Sequence, residues 1–117
     1  MDITRQEYDS VQAAILSEVL EWSGERASFA GACIEFGKSG DTIYLARESG
    51  ELVAIALVSS GRILQFLSTK RPGYSILFLE HIKRDGPLIL YAMKATRGFY
   101  EKCGFERIGN DYLWKGG

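Results

Sequence analysis

Cysteine, histidine and proline are scarce here: two Cys, one His and two Pro in 117 residues. Cys33 and Cys103 lie far apart with no C-x-x-C spacing, which argues against a disulfide framework or a zinc site. Both are expected to be reduced core residues. His81 has no second His or Cys at ligand spacing, so no metal is expected. Long apolar runs are also missing. The longest, Leu52 to Val58, has seven residues, against the ~20 that a membrane-spanning helix needs. The N-terminus, Met1 to Glu7, lacks a basic region followed by an apolar stretch, so no secretory leader is expected and the cytoplasm is the expected location. G-x-x-x-x-G-K-[ST] and G-x-G-x-x-G do not occur, which removes the usual nucleotide-binding loops.

An excess of charge of one sign is lacking as well. Fourteen Lys and Arg against fifteen Asp and Glu leave a net charge of -1, which argues against a nucleic-acid or membrane-surface protein. The sum conceals a division. Residues 1–50 hold nine acids and four bases, net -5, whereas residues 51–117 hold six acids and ten bases, net +4. An anion could be held by the second half and a cationic group by the first. With 46% apolar residues and no linker or repeat, the chain is expected to form a single domain over 1–117.

Thr4-Arg5-Gln6-Glu7 has the capping-box form, a hydroxyl three residues ahead of a carboxylate, and predicts a helix start. Tyr8, Val11, Ile15, Val19 and Trp22 then recur at helical spacing as one apolar stripe that ends at Ser23-Gly24. A second helix is expected from Glu25 to about Phe36, with Phe29, Cys33 and Phe36 on one face. Runs 42–47, 52–58 and 62–68 read as three antiparallel strands joined by turns at Gly50 and Gly61. A helix is expected from Ile76 to Arg84, a buried strand at 88–93, a short helix from Thr96 to Cys103, and a final hairpin around Gly109-Asn110. The expected fold is therefore α/β in the α+β sense: a mixed, mostly antiparallel sheet with helices on both faces.

Two segments carry chemistry. Lys70-Arg71-Pro72-Gly73-Tyr74-Ser75 enters a helix, and a helix start presents unpaired N–H groups at the positive end of its dipole, beside two cations. Such a turn suits a phosphate, although one glycine before a helix is by itself an ordinary turn. The other segment is Phe99-Tyr100-Glu101-Lys102-Cys103-Gly104-Phe105. FYEKCGF resembles the signature of the GNAT superfamily of N-acetyltransferases, A-x-x-F/L-Y-E-K-L-G-F. The upstream loop is similar to that family's acetyl-CoA motif, with Lys70, Gly73 and Ser75 at its marked places. The order of elements agrees from the first helix onward.

The resemblance implies an acetyl-CoA-dependent N-acetyltransferase acting on a small-molecule or peptide amine. It implies that Phe66, Leu67, Ser68 and Thr69 offer backbone groups to the pantetheine arm and acetyl carbonyl. Lys70, Arg71, Gly73, Tyr74 and Ser75 would hold the pyrophosphate, and Tyr100 would protonate the departing thiolate. The chemistry suits a phenol, which keeps its proton at neutral pH with a reference pKa of ~10. Gln65 stands where many relatives place a Glu, and an amide cannot take a proton. Glu35, Asp41, Glu48 and ordered water remain as candidate bases, and none is singled out. Cys103 and the aromatics Trp22, Phe29 and Phe36 are core residues first, although the three rings could line an acceptor pocket.

Two other readings compete. One is a non-catalytic module of the same fold that binds CoA or a partner protein. The other is a nucleic-acid binder using Lys70, Arg71, Lys83, Arg84, Lys94, Arg97 and Lys102, which lack aromatic interleaving. A domain this small leaves little for an acceptor pocket. Either the substrate is reached with few contacts or a second subunit, in a homodimer, completes the site.

Overall fold

The computed structural model describes residues 1–22 and 24–116. Strand β1 (Asp2–Glu7) is followed by α1 (Ser10–Val19), α2 (Glu25–Phe36), β2 (Thr42–Glu48), β3 (Glu51–Ser59), β4 (Ile63–Thr69), α3 (Pro72–Lys83), β5 (Leu88–Tyr91), α4 (Arg97–Lys102), β6 (Glu106–Ile108) and β7 (Asp111–Trp114). The strands make one mixed sheet in the order β1-β2-β3-β4-β5-β7-β6. Every pairing is antiparallel except β4 with β5, which the α3 crossover makes parallel.

Strand β3 lies at the centre, and seven consecutive residues, Leu52 to Val58, are buried. Its two faces feed two cores. Ala54, Ala56 and Val58 pack with Phe78, Leu79 and Ile82 of α3, whereas Ile55 and Leu57 pack with Leu16 of α1 and Phe29 and Cys33 of α2. Helices therefore cover both faces. Phe29 is fully buried against Phe66, with ring centroids 5.6 Å apart. Truncating such a ring to Ala costs about 3–5 kcal/mol.

The N-terminus differs from expectation. Thr4 and Glu7 do not cap a helix, because they pair with Leu45 and Thr42 as part of β1. Capping falls to Asp9 instead, whose Oδ1 accepts from the N–H of Val11 at 2.8 Å and of Gln12 at 3.4 Å. The expected inward stripe is also on the wrong side: Val11, Ile15 and Val19 are 64%, 51% and 43% exposed. The buried face consists of Ala13, Leu16 and Ser17, continued by Leu20. Apolar residues at helical spacing occur on both sides of α1, and the way β1 delivers the chain, with Tyr8 N–H bonded to Asp41 C=O at 2.6 Å, decides between them. Of the expected stop at Ser23-Gly24, Ser23 lies outside the described residues.

Helix α3 begins at Pro72 rather than Ile76. Proline at its first position loses no hydrogen bond there, so the residues read as a break form the first turn. The far end of α3 is anchored by Arg62, which donates to Tyr44 Oη at 2.9 Å and to the Ile82 and Pro87 carbonyls at 2.8 and 3.1 Å. Tyr44 Oη in turn donates to Asp85 at 2.6 Å. Burial opposes ionisation of Asp85, but Tyr44, Arg5 and Arg62 outweigh it and hold its pKa below the usual value.

Candidate active site

Strands β4 and β5 touch at one residue pair only, Ile63 with Ile89. Beyond it β4 remains paired to β3 as far as Thr69, and β5 to β7 as far as Tyr91. The two strands therefore part, and the edge of β4 past Leu64 has no strand partner on the β5 side. A bulge accompanies the split: Val58 pairs with Leu64 and Leu57 with Phe66, which leaves Gln65 without a partner. Leu64 packs toward α3, whereas Phe66 packs toward α2. Gln65 Nε2 reaches Ser59 Oγ at 3.1 Å.

A cleft of about 290 Å³ opens where the strands part, lined by Leu67, Ser68, Thr69, Ser75, Thr96, Phe99 and Tyr100. Five of the residues singled out from the sequence thus meet: Leu67, Ser68, Thr69, Ser75 and Tyr100. Thr96, four residues before Tyr100, and Phe99, next to it in the chain, were given no role in the site by the sequence and line the same cleft. The Thr69 and Ser75 hydroxyls are 2.7 Å apart, and Thr69 Oγ1 also donates to the Arg71 carbonyl at 3.1 Å. Ser68 Oγ accepts from Trp22 Nε1 at 3.3 Å, so its side chain turns toward the first two helices, as Phe66 does.

The turn into α3 follows directly. Pro72 has no N–H to offer, and Tyr74 N–H bonds back to the Arg71 carbonyl at 3.1 Å. At Gly73 an added Cβ would meet no atom within 4 Å; the glycine borders open space. Lys70 forms an ion pair with Glu51, and Tyr74 Oη donates to Glu48. That hydrogen bond, with burial and the Glu48 charge behind it, raises the Tyr74 pKa. The division into an acidic half and a basic half is therefore not strictly kept in space, since Glu48 of the first half reaches the basic turn, where Glu51 also sits. Lys83 departs further from a surface cation. It is buried, donates to the Cys103 carbonyl at 2.6 Å and stands 3.9 Å from the Trp114 ring centre.

Tyr100 packs edge-on against Phe99 and Phe105, with centroids 5.2 and 5.5 Å away. Burial, with a smaller contribution from Cys103, pushes its pKa up to about 12. The phenol is held protonated at neutral pH. Of the candidate bases, Asp41 is buried and its carboxylate accepts from the Lys38 and Ser60 N–H groups at 2.8 and 3.0 Å, a structural role. Glu48 is engaged by Tyr74, and Glu35 lies in a hollow beyond Phe36. No helix among the described residues is long and apolar enough to cross a membrane.

No family model and no curated protein matches the sequence. Solved structures do. A structure from Desulfovibrio desulfuricans, described as an acetyltransferase of the GNAT family, superposes with a TM-score of 0.63 at 17% identity over 97% of this chain and 99% of its own. The aminoglycoside 6'-N-acetyltransferase of Enterococcus faecium gives 0.65 at 16% identity, over 97% and 94%. The Bacillus subtilis N-acetyltransferase YlbP, solved with coenzyme A, gives 0.60 at 14%, over 97% and 95%. The fold is that of the GNAT acetyltransferases. At such identities the likeness extends to the fold, and function has to be argued from the site.

Proposed function

We propose that this protein is an acetyl-CoA-dependent N-acetyltransferase, with the β4–β5 split as its cofactor cleft. The observation that carries the reading is the convergence on that split of a free strand edge, a helix start and a half-buried, protonated phenol. Acetyl-CoA would supply a thioester, whose carbonyl carbon an amine can attack. The free backbone groups of β4 from Phe66 to Thr69 would align the pantetheine arm as an added strand would. The Arg71, Gly73 and Ser75 amides, with the Arg71 and Lys70 cations, would take the pyrophosphate at the start of α3. Open space at Gly73 fits such an approach.

Tyr100 would give its proton to the departing sulfur. A thiol has a reference pKa of ~8.5 against about 12 for Tyr100, so the transfer is uphill by itself and is completed when solvent returns a proton to the phenolate. The attacking amine loses its proton to solvent or to a group outside the cleft, since Gln65 cannot accept it. The test is calorimetric titration with acetyl-CoA, followed by an assay for free thiol with an amine panel. Absence of binding at millimolar acetyl-CoA would remove the reading.

A second reading is a module of the same fold that binds CoA without turning it over. The observation favouring it is that no carboxylate lines the cleft among the described residues. Amine-dependent thiol release would exclude it.

A further inference from the structure

Helices α1 and α2 cover their face of the sheet only as far as β4: the core beneath them draws on β2, β3 and Phe66, and on no residue of β5, β6 or β7. Leu88, Leu90 and Tyr112 point to the α3 side, so alternation turns Ile89, Tyr91, Asp111 and Leu113 to the uncovered face. Register sets them side by side. Ile63 neighbours Ile89, Ile89 neighbours Leu113, and Tyr91 neighbours Asp111. Tyr91 is 67% exposed and Ile63 38%.

Of these, Ile63, Ile89, Tyr91 and Asp111 line a cleft of about 380 Å³, with Phe36 as a further wall and Gln65 as a second polar group. Ile63 and Ile89 are the single pair at the apex of the β4–β5 split, and Gln65 is the bulge residue just past it. The apolar cleft thus lies at the apex of the split, and the cofactor cleft lies farther along the same strand β4, at Leu67 to Thr69.

We propose that this cleft binds the acceptor, and that the acceptor is a primary monoamine carried on an apolar body rather than a polycation. The inference rests on the acetyltransferase reading. Asp111 is the only carboxylate lining the cleft among the described residues, which suits one ammonium group. Gln65 Oε1 has no partner among the described residues, since only its Nε2 is engaged, and can accept an amine N–H. In the adjoining hollow Glu35 shares the lining with the Lys38 cation, and the Asp41 carboxylate is taken by backbone N–H groups. Phe36, Ile63, Ile89 and Tyr91 would remove an alkyl or aryl body from water. In the transfer the amine nitrogen bonds the acetyl carbon and the C–S bond breaks. An ammonium held at Asp111 gives one proton to solvent before it attacks; the sulfur then gains a proton, and the nitrogen gives up a second to leave a neutral amide.

The test is methyl NMR on the intact protein, which needs no turnover. Titration with 2-phenylethylamine is expected to shift the methyl signals of Ile63 and Ile89, whereas spermidine leaves them in place. Tyr91→Ser and Asp111→Asn, both at exposed positions, should each weaken 2-phenylethylamine binding about tenfold. Binding of neutral 2-phenylethanol should fall with Tyr91→Ser and not with Asp111→Asn. In the thiol assay 2-phenylethylamine should exceed spermidine at least tenfold in kcat/KM. Equal shifts by spermidine, no shift by 2-phenylethylamine, or a self-associated dimer that covers these methyls in sedimentation would overturn the proposal. Loss of acetyl-CoA binding in calorimetry, with the methyl shifts intact, would instead remove the acetyltransferase reading and leave an amine-binding cleft.

Discussion

The hydroxyls of Thr69 and Ser75 lie 2.7 Å apart and join the last residue of β4 to the first turn of α3. Through this contact the strand edge and the helix start hold one relative position, which one long thioester cofactor would have to span. Thr69→Val keeps the shape and removes the bond. It should lower stability by about 1 kcal/mol in urea denaturation and weaken acetyl-CoA binding severalfold in calorimetry. Unchanged affinity would mean that the contact serves the fold alone.

Gly73 separates fold from function more sharply. Its backbone is helical and its surroundings are open, so Gly73→Leu should leave the melting temperature equal or slightly raised, by the gain in helix propensity. A phosphate close to the backbone would meet the new side chain, and acetyl-CoA affinity should fall at least tenfold. A variant that binds as tightly as the parent would place the pyrophosphate elsewhere.

Tyr100 makes a prediction about pH. Because burial raises its pKa to about 12, the acid form persists above the ordinary phenol value of ~10. No alkaline fall in kcat from this group should appear below about pH 11, and Tyr100→Phe should lower kcat about a hundredfold with little change in acetyl-CoA affinity. Rate profiles from pH 7 to 10.5 would check the first part. The sign for stability is the reverse of a paired carboxylate's: the raised value helps the folded state below about pH 10, and that help is lost as pH rises toward 12.

Lys70 is paired with Glu51 when no phosphate is present. Glu51→Gln should free the cation and tighten acetyl-CoA binding about threefold at low salt, in keeping with the small worth of exposed pairs, and the gain should shrink at 0.5 M NaCl. Weaker binding by the variant would show that Glu51 instead positions the lysine.

Much of the fold was legible because local signals and tertiary packing agree. Helix α2 occupies the expected Glu25–Phe36, and strands β2 to β4 fall within a residue or two of their expected limits. FYEKCGF led to the GNAT fold. Strand β1 was illegible because Asp-Ile-Thr-Arg-Gln-Glu carries no alternation of apolar residues; it is an edge strand whose charged side chains face water. The face of α1 was read wrongly for a related reason, since both Val11-Ile15-Val19 and Ala13-Leu16-Leu20 satisfy helical spacing.

What the amino-acid order determined by itself was periodicity, turn chemistry and the apolar centre at Leu52–Val58, all of which depend on neighbours within a few residues. Tertiary structure alone decided which side of α1 is buried, that Lys83 is a core residue, that Glu48 and Glu51 reach the basic turn, and where β4 parts from β5. Each of those depends on groups far apart in the chain. Charge and pattern along a sequence carry no distance between such groups, and the sheet register supplies it.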